Sequence, residues 1–416
     1  MARTAVGAEP ATRMQLLLTW ALHMEYFSGS RQCPEALAVI RSASRTLCLL
    51  AALFAGSASA LECGGFDFPF CKNAAGRPDQ FAGGFAPHAP NGGFGGGAGC
   101  RGNIRHTPVV FVHGNGDSAI GWDSPAPARG TRAAGPSVYE EFKAHGYNDC
   151  ELFGITYLDR DEQKLDHTGQ NFHEPRKYQL VWEFIQAVKA YTGSPRVDVV
   201  GHSLGVSMAM AALDYYADHG EKAWESVRRF ANIAGGIRGL NSCVPATFTA
   251  AACQADHGGT GEAYYEFGFF PDHALFWRSN RWTAAEGPSS MRHAPQRHPN
   301  VLFYTIEAGN QDDIHCPSMF MFWPTPVDCR RGPLFAPAAN VRAQLDIGAA
   351  PASPLPPWTG RVKPEVASLF PNDLGGIGHF GARDYAGPIL LRMLATDCTD
   401  LACAQSYAGE ARRAQP

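Results

Sequence analysis

The chain has 416 residues, of which 45% are hydrophobic and 18% charged, at a net charge of −4. These values exclude a disordered chain, and no basic run suggests a nucleic-acid surface. With 45 glycines and 30 prolines, much of the chain is expected as loop around a compact sheet.

The first 60 residues read as an export signal with an over-long start. Arg41 and Arg45 carry the positive charge, 47–56 form a short apolar run, and Ser57-Ala58-Ser59-Ala60 supplies small residues for cleavage near Ala60. An apolar run of that length falls short of the roughly 20 residues that span a bilayer, so no membrane span is expected. A start at Met14 or Met24 accounts for the length of the preceding stretch. Beyond the cleavage point stand Cys63, Cys71, Cys100, Cys150, Cys243, Cys253, Cys316, Cys329, Cys398 and Cys403. An even set in an exported chain reads as disulfides, and pairing neighbours in order is the simplest scheme. No Cys-x-x-Cys or paired His spacing marks a metal site, and no metal or cofactor is expected.

Residues 61–105 are loop-rich, but their cysteines and phenylalanines argue that they pack onto the domain. Alternation then begins. Runs at 108–112, 150–158, 197–200, 230–234 and 301–306 read as strands, and 178–191 and 206–216 as helices. Thr192-Gly193 ends the first helix. Strands apolar on both faces and separated by helices predict a mostly parallel sheet covered on both sides, in one α/β domain over 61–416. From 236 to 300 the alternation stops and aromatics crowd in, among them Tyr264, Phe267, Phe276, Trp277 and Trp282. The segment reads either as a cap that forms a substrate wall or as a small core pinned by Cys243 and Cys253.

The strongest chemical signal is Gly201-His202-Ser203-Leu204-Gly205, directly after the strand at 197–200 and before the helix at 206–216. A tight strand-to-helix turn admits no large side chain at its flanks and lifts the serine hydroxyl above the sheet. Ser203 is therefore the candidate nucleophile of an α/β-hydrolase. One oxyanion donor is expected from the Leu204 N–H, the other from His113 or Asn115 in His113-Gly114-Asn115-Gly116-Asp117. His113 as the base conflicts with the chain order Ser, Asp, His. The last histidine, His379, lies in a glycine-rich loop before an apolar helix at 388–394 and is the candidate base. The acid should follow a late strand: Asp312, with Asp313 and Glu307 in reserve.

Beyond the pentapeptide, the chain resembles the secreted, lipase-like poly(3-hydroxybutyrate) depolymerases that attack amorphous polymer. The resemblance covers nearly all of the sequence after the signal. It is carried by Phe81-Ala82-Gly83-Gly84-Phe85-Ala86-Pro87, the stretch His113 to Asp117, Ser137-Val138-Tyr139 and Gly146-Tyr147-Asn148-Asp149-Cys150-Glu151. His202-Ser203 with Gly205-Val206-Ser207-Met208, Ala234-Gly235-Gly236-Ile237-Arg238-Gly239-Leu240, Phe267-Gly268-Phe269-Phe270-Pro271 and Gly378-His379-Phe380 continue it. The resemblance implies Ser203, Asp312 and His379 as a triad, and the amides of His113 and Leu204 as the oxyanion hole. It further implies a polyester substrate touched by Asn115, His202, Phe276, Trp277 and Trp282, and a monomeric enzyme. Gly201 and Leu204 replace the family's Ala and Met, a change toward ordinary lipases. Val244-Pro245 and Leu275-Phe276 stand where family tyrosines hold polymer, so the resemblance speaks more for ester hydrolysis than for polymer adsorption. A secreted triacylglycerol lipase or carboxylesterase is the alternative, and a non-catalytic binding protein with a vestigial triad is a further rival.

Overall fold

The computed structural model describes residues 62–63, 71–72, 81–128, 133–240, 243, 250–254, 260–271, 280–309, 312, 314–315, 331–348 and 377–414. The chain divides into 1–58 and 59–416. The first unit, where an export signal was expected, lies outside the described residues.

Strands β1 (Glu62–Cys63) and β2 (Cys71–Lys72) pair antiparallel, with Cys63 opposite Cys71. The remaining strands form one sheet: β3 (Gly93–Phe94), β4 (Val109–Val112), β5 (Leu152–Ile155), β6 (Val197–His202), β7 (Val227–Ile233), β8 (Leu302–Glu307), β9 (Val341–Asp346) and β10 (Arg412–Arg413). Its order is β10-β9-β8-β7-β6-β4-β5-β3. The six strands from β9 to β5 are parallel, and only the edge strands β3 and β10 run antiparallel. This is the mostly parallel α/β-hydrolase sheet that the apolar strands predict.

The helices described are, in chain order, α1 (Val138–Ala144), α2 (Pro175–Thr192), α3 (Leu204–Asp218), α4 (Ala294–Arg297), α5 (Gly378–Asp384) and α6 (Gly387–Ala395). Helix α2 starts with proline at its first position, where the missing N–H costs nothing, and ends at Gly193 with φ 71°. The sequence reading places this helix three residues too late at its start.

Successive side chains of a strand point to opposite faces, and β4 shows the consequence. Val110 and Val112 join a core with Val181 of α2 and Met208 of α3. Val109 and Phe111 join the opposite core with Phe142 of α1 and Leu390 of α6. Phe111 is fully buried, and Phe111→Ala would cost about 3–5 kcal/mol.

Residues 81–105 pack as expected: Phe85 stands edge-on to Phe153 and Phe184, at 4.9 and 5.6 Å. Disulfides join Cys100–Cys150, Cys243–Cys253 and Cys398–Cys403, as neighbour pairing predicts. The expected bond between Cys316 and Cys329 lies outside the described residues, as do the side chains of Cys63 and Cys71.

The chain runs from β4 to β5 on one side and returns to β6 on the other. Open α/β sheets bind ligands at such a reversal, in the crevice at the carboxyl ends of the strands. Residues 113–117 follow β4 and Ser203 follows β6, so both leave the sheet at that crevice.

Candidate active site

Ser203 sits between β6 and α3 with φ 54° and ψ −124°, a conformation non-glycine residues seldom adopt. Its N–H donates to the Ile233 carbonyl at 2.9 Å, which ties the turn to β7. The flanking glycines have a direct steric cause. A Cβ on Gly201 would lie 2.8 Å from the Val206 Cα, and one on Gly205 would lie 2.2 Å from the His113 carbonyl oxygen. Ser203 is half-buried. Leu204 opens α3, so its N–H is among the donors that have no acceptor within the helix.

His113 is fully buried. Its Nδ1–H donates to the Gly114 carbonyl at 2.8 Å, and its Nε2 accepts from the Tyr157 N–H at 3.3 Å. The Tyr157 ring stacks on it at 4.3 Å and the Tyr157 hydroxyl donates to the His113 carbonyl at 3.0 Å. Burial holds the imidazole down to about 3, so it is neutral at ordinary pH and serves as a fixed support for its loop.

His379, on the first turn of α5, is 2% exposed, and its Nδ1–H donates to Asp312 Oδ2 at 2.8 Å. Asp312 Oδ1 accepts from the N–H groups of Ile314 and His315, both at 3.0 Å. Burial raises the Asp312 carboxyl, but the charges of His379 and His315 and these hydrogen bonds outweigh it and hold it well below the usual range. Of the three acids considered, Asp312 is the one on His379. Asp313 lies outside the described residues, and Glu307 ends β8 in register with Asp346.

His202 joins the two halves of the site. Its Nε2–H donates to the His379 carbonyl at 3.2 Å, and the two rings lie 4.8 Å apart. His379 is thus held against the residue that precedes Ser203. Burial and the neighbouring His379 and Arg383 push His202 well below its ordinary value, so it stays neutral.

The expected substrate contacts fare less well. His202 is fully buried and engaged with His379, which corrects its placement on the substrate. Trp282 is 1% exposed, stacked on Phe267 at 4.8 Å, with Nε1–H donating to the Tyr264 carbonyl at 3.1 Å. It is core, not wall, because Phe267, Phe269 and Trp282 join the same cluster as α2 and α3. Half-buried Asn115 accepts from Asn171 Nδ2 at 2.6 Å and donates to the Thr168 carbonyl at 2.8 Å, which binds its side chain to the 165–171 segment. Phe276 and Trp277 lie outside the described residues.

Two features escaped the sequence reading. His315 donates from Nε2 to the Ala234 carbonyl at 2.9 Å, beside Asp312. Its only signal was a spacing of three from the acid. Asp312, His315 and His379 are the one group among the described residues whose donor atoms cluster as a metal site could. Asp312 Oδ2 faces His379, and His315 Nε2 faces the Ala234 carbonyl, so both are engaged in hydrogen bonds within the protein. Arg383, the other feature, stands one helical turn beyond His379 and pairs with Asp117 at 2.8 Å.

Residues 106–267 match the family model described as lipase (class 2). No curated protein matches the chain. Among solved structures, the mature lipase BlEst2 of Bacillus licheniformis is 18% identical at a TM-score of 0.29, over 50% of this chain and 67% of that one. An esterase of Pyrobaculum calidifontis is 16% identical at a TM-score of 0.26, over 48% and 57%. Aspergillus fumigatus lipase B is 17% identical at 0.22, over 32% of this chain and a quarter (25%) of its own. The sheet order and the strained serine turn are those of the α/β-hydrolase fold, and residues 106–267 are similar to class 2 lipases.

Proposed function

We propose that the chain is a secreted serine esterase that cleaves poly(3-hydroxybutyrate) or a related short-side-chain polyester. Ser203 Oγ attacks the ester carbonyl, and His379 takes its proton and returns it to the leaving alkoxide. Asp312 holds the His379 tautomer and balances its cation. The N–H groups of Leu204 and His113 receive the oxyanion, and water then releases the acyl-enzyme. The observation that carries the reading is the buried Asp312–His379 bond at 2.8 Å, docked through His202 onto a serine with φ 54°.

The export signal and the three disulfides support secretion, since such bonds persist in oxidising compartments. Among the described residues no helix is long and apolar enough to cross a membrane. The polyester itself is supported by the stretches shared with the depolymerases. The match to class 2 lipases favours a second reading, a triacylglycerol lipase or carboxylesterase. Amorphous poly(3-hydroxybutyrate) granules should lose turbidity faster than tributyrin or triolein emulsions clear. Rapid triolein hydrolysis with intact granules would leave only the second reading.

A further inference from the structure

The base and the oxyanion loop come from opposite ends of the domain sequence, yet must hold one register to within a fraction of an ångström. Two contacts join them. Gly114 covers His202: a Cβ on Gly114 would come 2.9 Å from His202 Nδ1, while His202 Nε2 holds the His379 carbonyl. The second contact is an ion cluster. Arg383 Nη1 donates to Asp117 Oδ2 at 2.8 Å, and its Nε and Nη2 donate to Asp384 Oδ1 at 2.9 and 2.6 Å. Asp117 and Arg383 are 1% and 2% exposed.

Position decides what this cluster does. Arg383 is four residues after His379 on α5, so both side chains lie on one helix face about one turn apart. Asp117 is four residues after His113, in the loop that supplies the second oxyanion donor. Gly121 lies directly over the pair: a Cβ there would fall 2.6 Å from Asp117 Oδ1 and 2.8 Å from Arg383 Nη1. Burial raises the Asp117 carboxyl while that guanidinium lowers it. A buried pair of this kind is weak evidence for added stability, so it is its place between the two segments that assigns it a role.

We propose that Asp117 and Arg383 are positioning residues, whose buried ion pair locks α5 onto the 113–117 loop and so keeps the His379 base in register with the oxyanion hole. The proposal rests on the reading of Ser203 and His379 as nucleophile and base.

The test uses the full secreted chain, with Ser203 counted by a p-nitrophenyl phosphonate and turnover read on p-nitrophenyl butyrate. Arg383→Met and Asp117→Asn should each lower kcat per titrated serine about 10- to 100-fold, with KM within about twofold. Arg383→Lys should recover part of that loss, because it keeps the charge but cannot span both carboxylates. The double variant Asp117→Asn/Arg383→Met should be no worse than either single one, as for two members of one contact. Gly121→Ala removes no charge yet should lower kcat about tenfold by displacing the pair. If the variants lose only titratable serine or melting temperature, at unchanged kcat per site, the pair is merely structural and the proposal is overturned. A wild-type chain that the phosphonate does not label would instead defeat the serine hydrolase reading.

Discussion

The serine turn and the base arm reach the same crevice by different means. The turn is compact in sequence: Gly201, Ser203 and Gly205 span five residues, with Gly201 crowded by the neighbouring Val206 and Gly205 by the His113 carbonyl just after β4. The base arm is assembled across the chain. His379 depends on Asp312, 67 residues earlier, and on His202, 177 residues earlier. Such a turn admits little change within itself. A base held by distant partners is sensitive to substitutions that never touch substrate.

The largest effect should come from the turn itself. Ser203→Ala should lower kcat about 10⁶-fold and leave the melting temperature near that of the wild type. A variant that keeps most of its esterase activity would move the nucleophile elsewhere. Asp312→Asn should cost about 10⁴-fold in kcat, since it permits the wrong His379 tautomer, and far more than Asp313→Asn. Equal losses at 312 and 313 would break the account of the base arm.

Gly205→Ala probes the turn's steric demand alone. Its Cβ meets the His113 and Val112 carbonyls at 2.2 and 2.4 Å, so either backbone must shift. Chemical unfolding should show a loss of about 1–3 kcal/mol, with activity falling further than stability. An unchanged midpoint would show that the two loops are less tightly joined than this.

Acid titration sharpens the comparison from the side of the supports. His113, and His173, which is buried between the Phe267 carbonyl and the Ser207 hydroxyl of α3, are both held down to about 3 by burial, against 6.5 when unfolded. The unfolded chain therefore binds protons first as the pH falls. Their stabilising contribution is complete above about 6.5 and is lost progressively between there and about 3. Urea midpoints should fall steadily over that range, and His173→Gln should flatten part of the slope.

The smallest effect concerns the disulfide near the C-terminus. Cys398–Cys403 closes a separation of 5 residues and Cys100–Cys150 one of 50. By chain entropy the first should contribute about 2 kcal/mol and the second about 4. Paired Cys→Ala substitutions with unfolding curves would show the order.

The strands that the sequence reveals are those apolar on both faces. Val197 to Val200 was legible because three of its four residues are valines, although Asp198 stands among them, buried and paired with Arg228. Strand β9, Val341–Asp346, escaped because its buried residues, Ala343 and Leu345, alternate with half-buried Arg342, Gln344 and Asp346. It carries only the weaker period of two. Trp282 was misread for the opposite reason, since an aromatic cluster looks alike whether it lines a groove or fills a core. The same limit applied to His202, whose neighbour in the sequence is Ser203 but whose partner in space is His379.

By itself the sequence determined the turn around Ser203 and the parallel sheet beneath it. Each follows from steric or periodic rules that act over a few residues. Only the tertiary structure decided which carboxylate meets His379, what His202 holds and why Arg383 is buried. Those choices depend on contacts between segments far apart in the chain, where no local pattern records the partner.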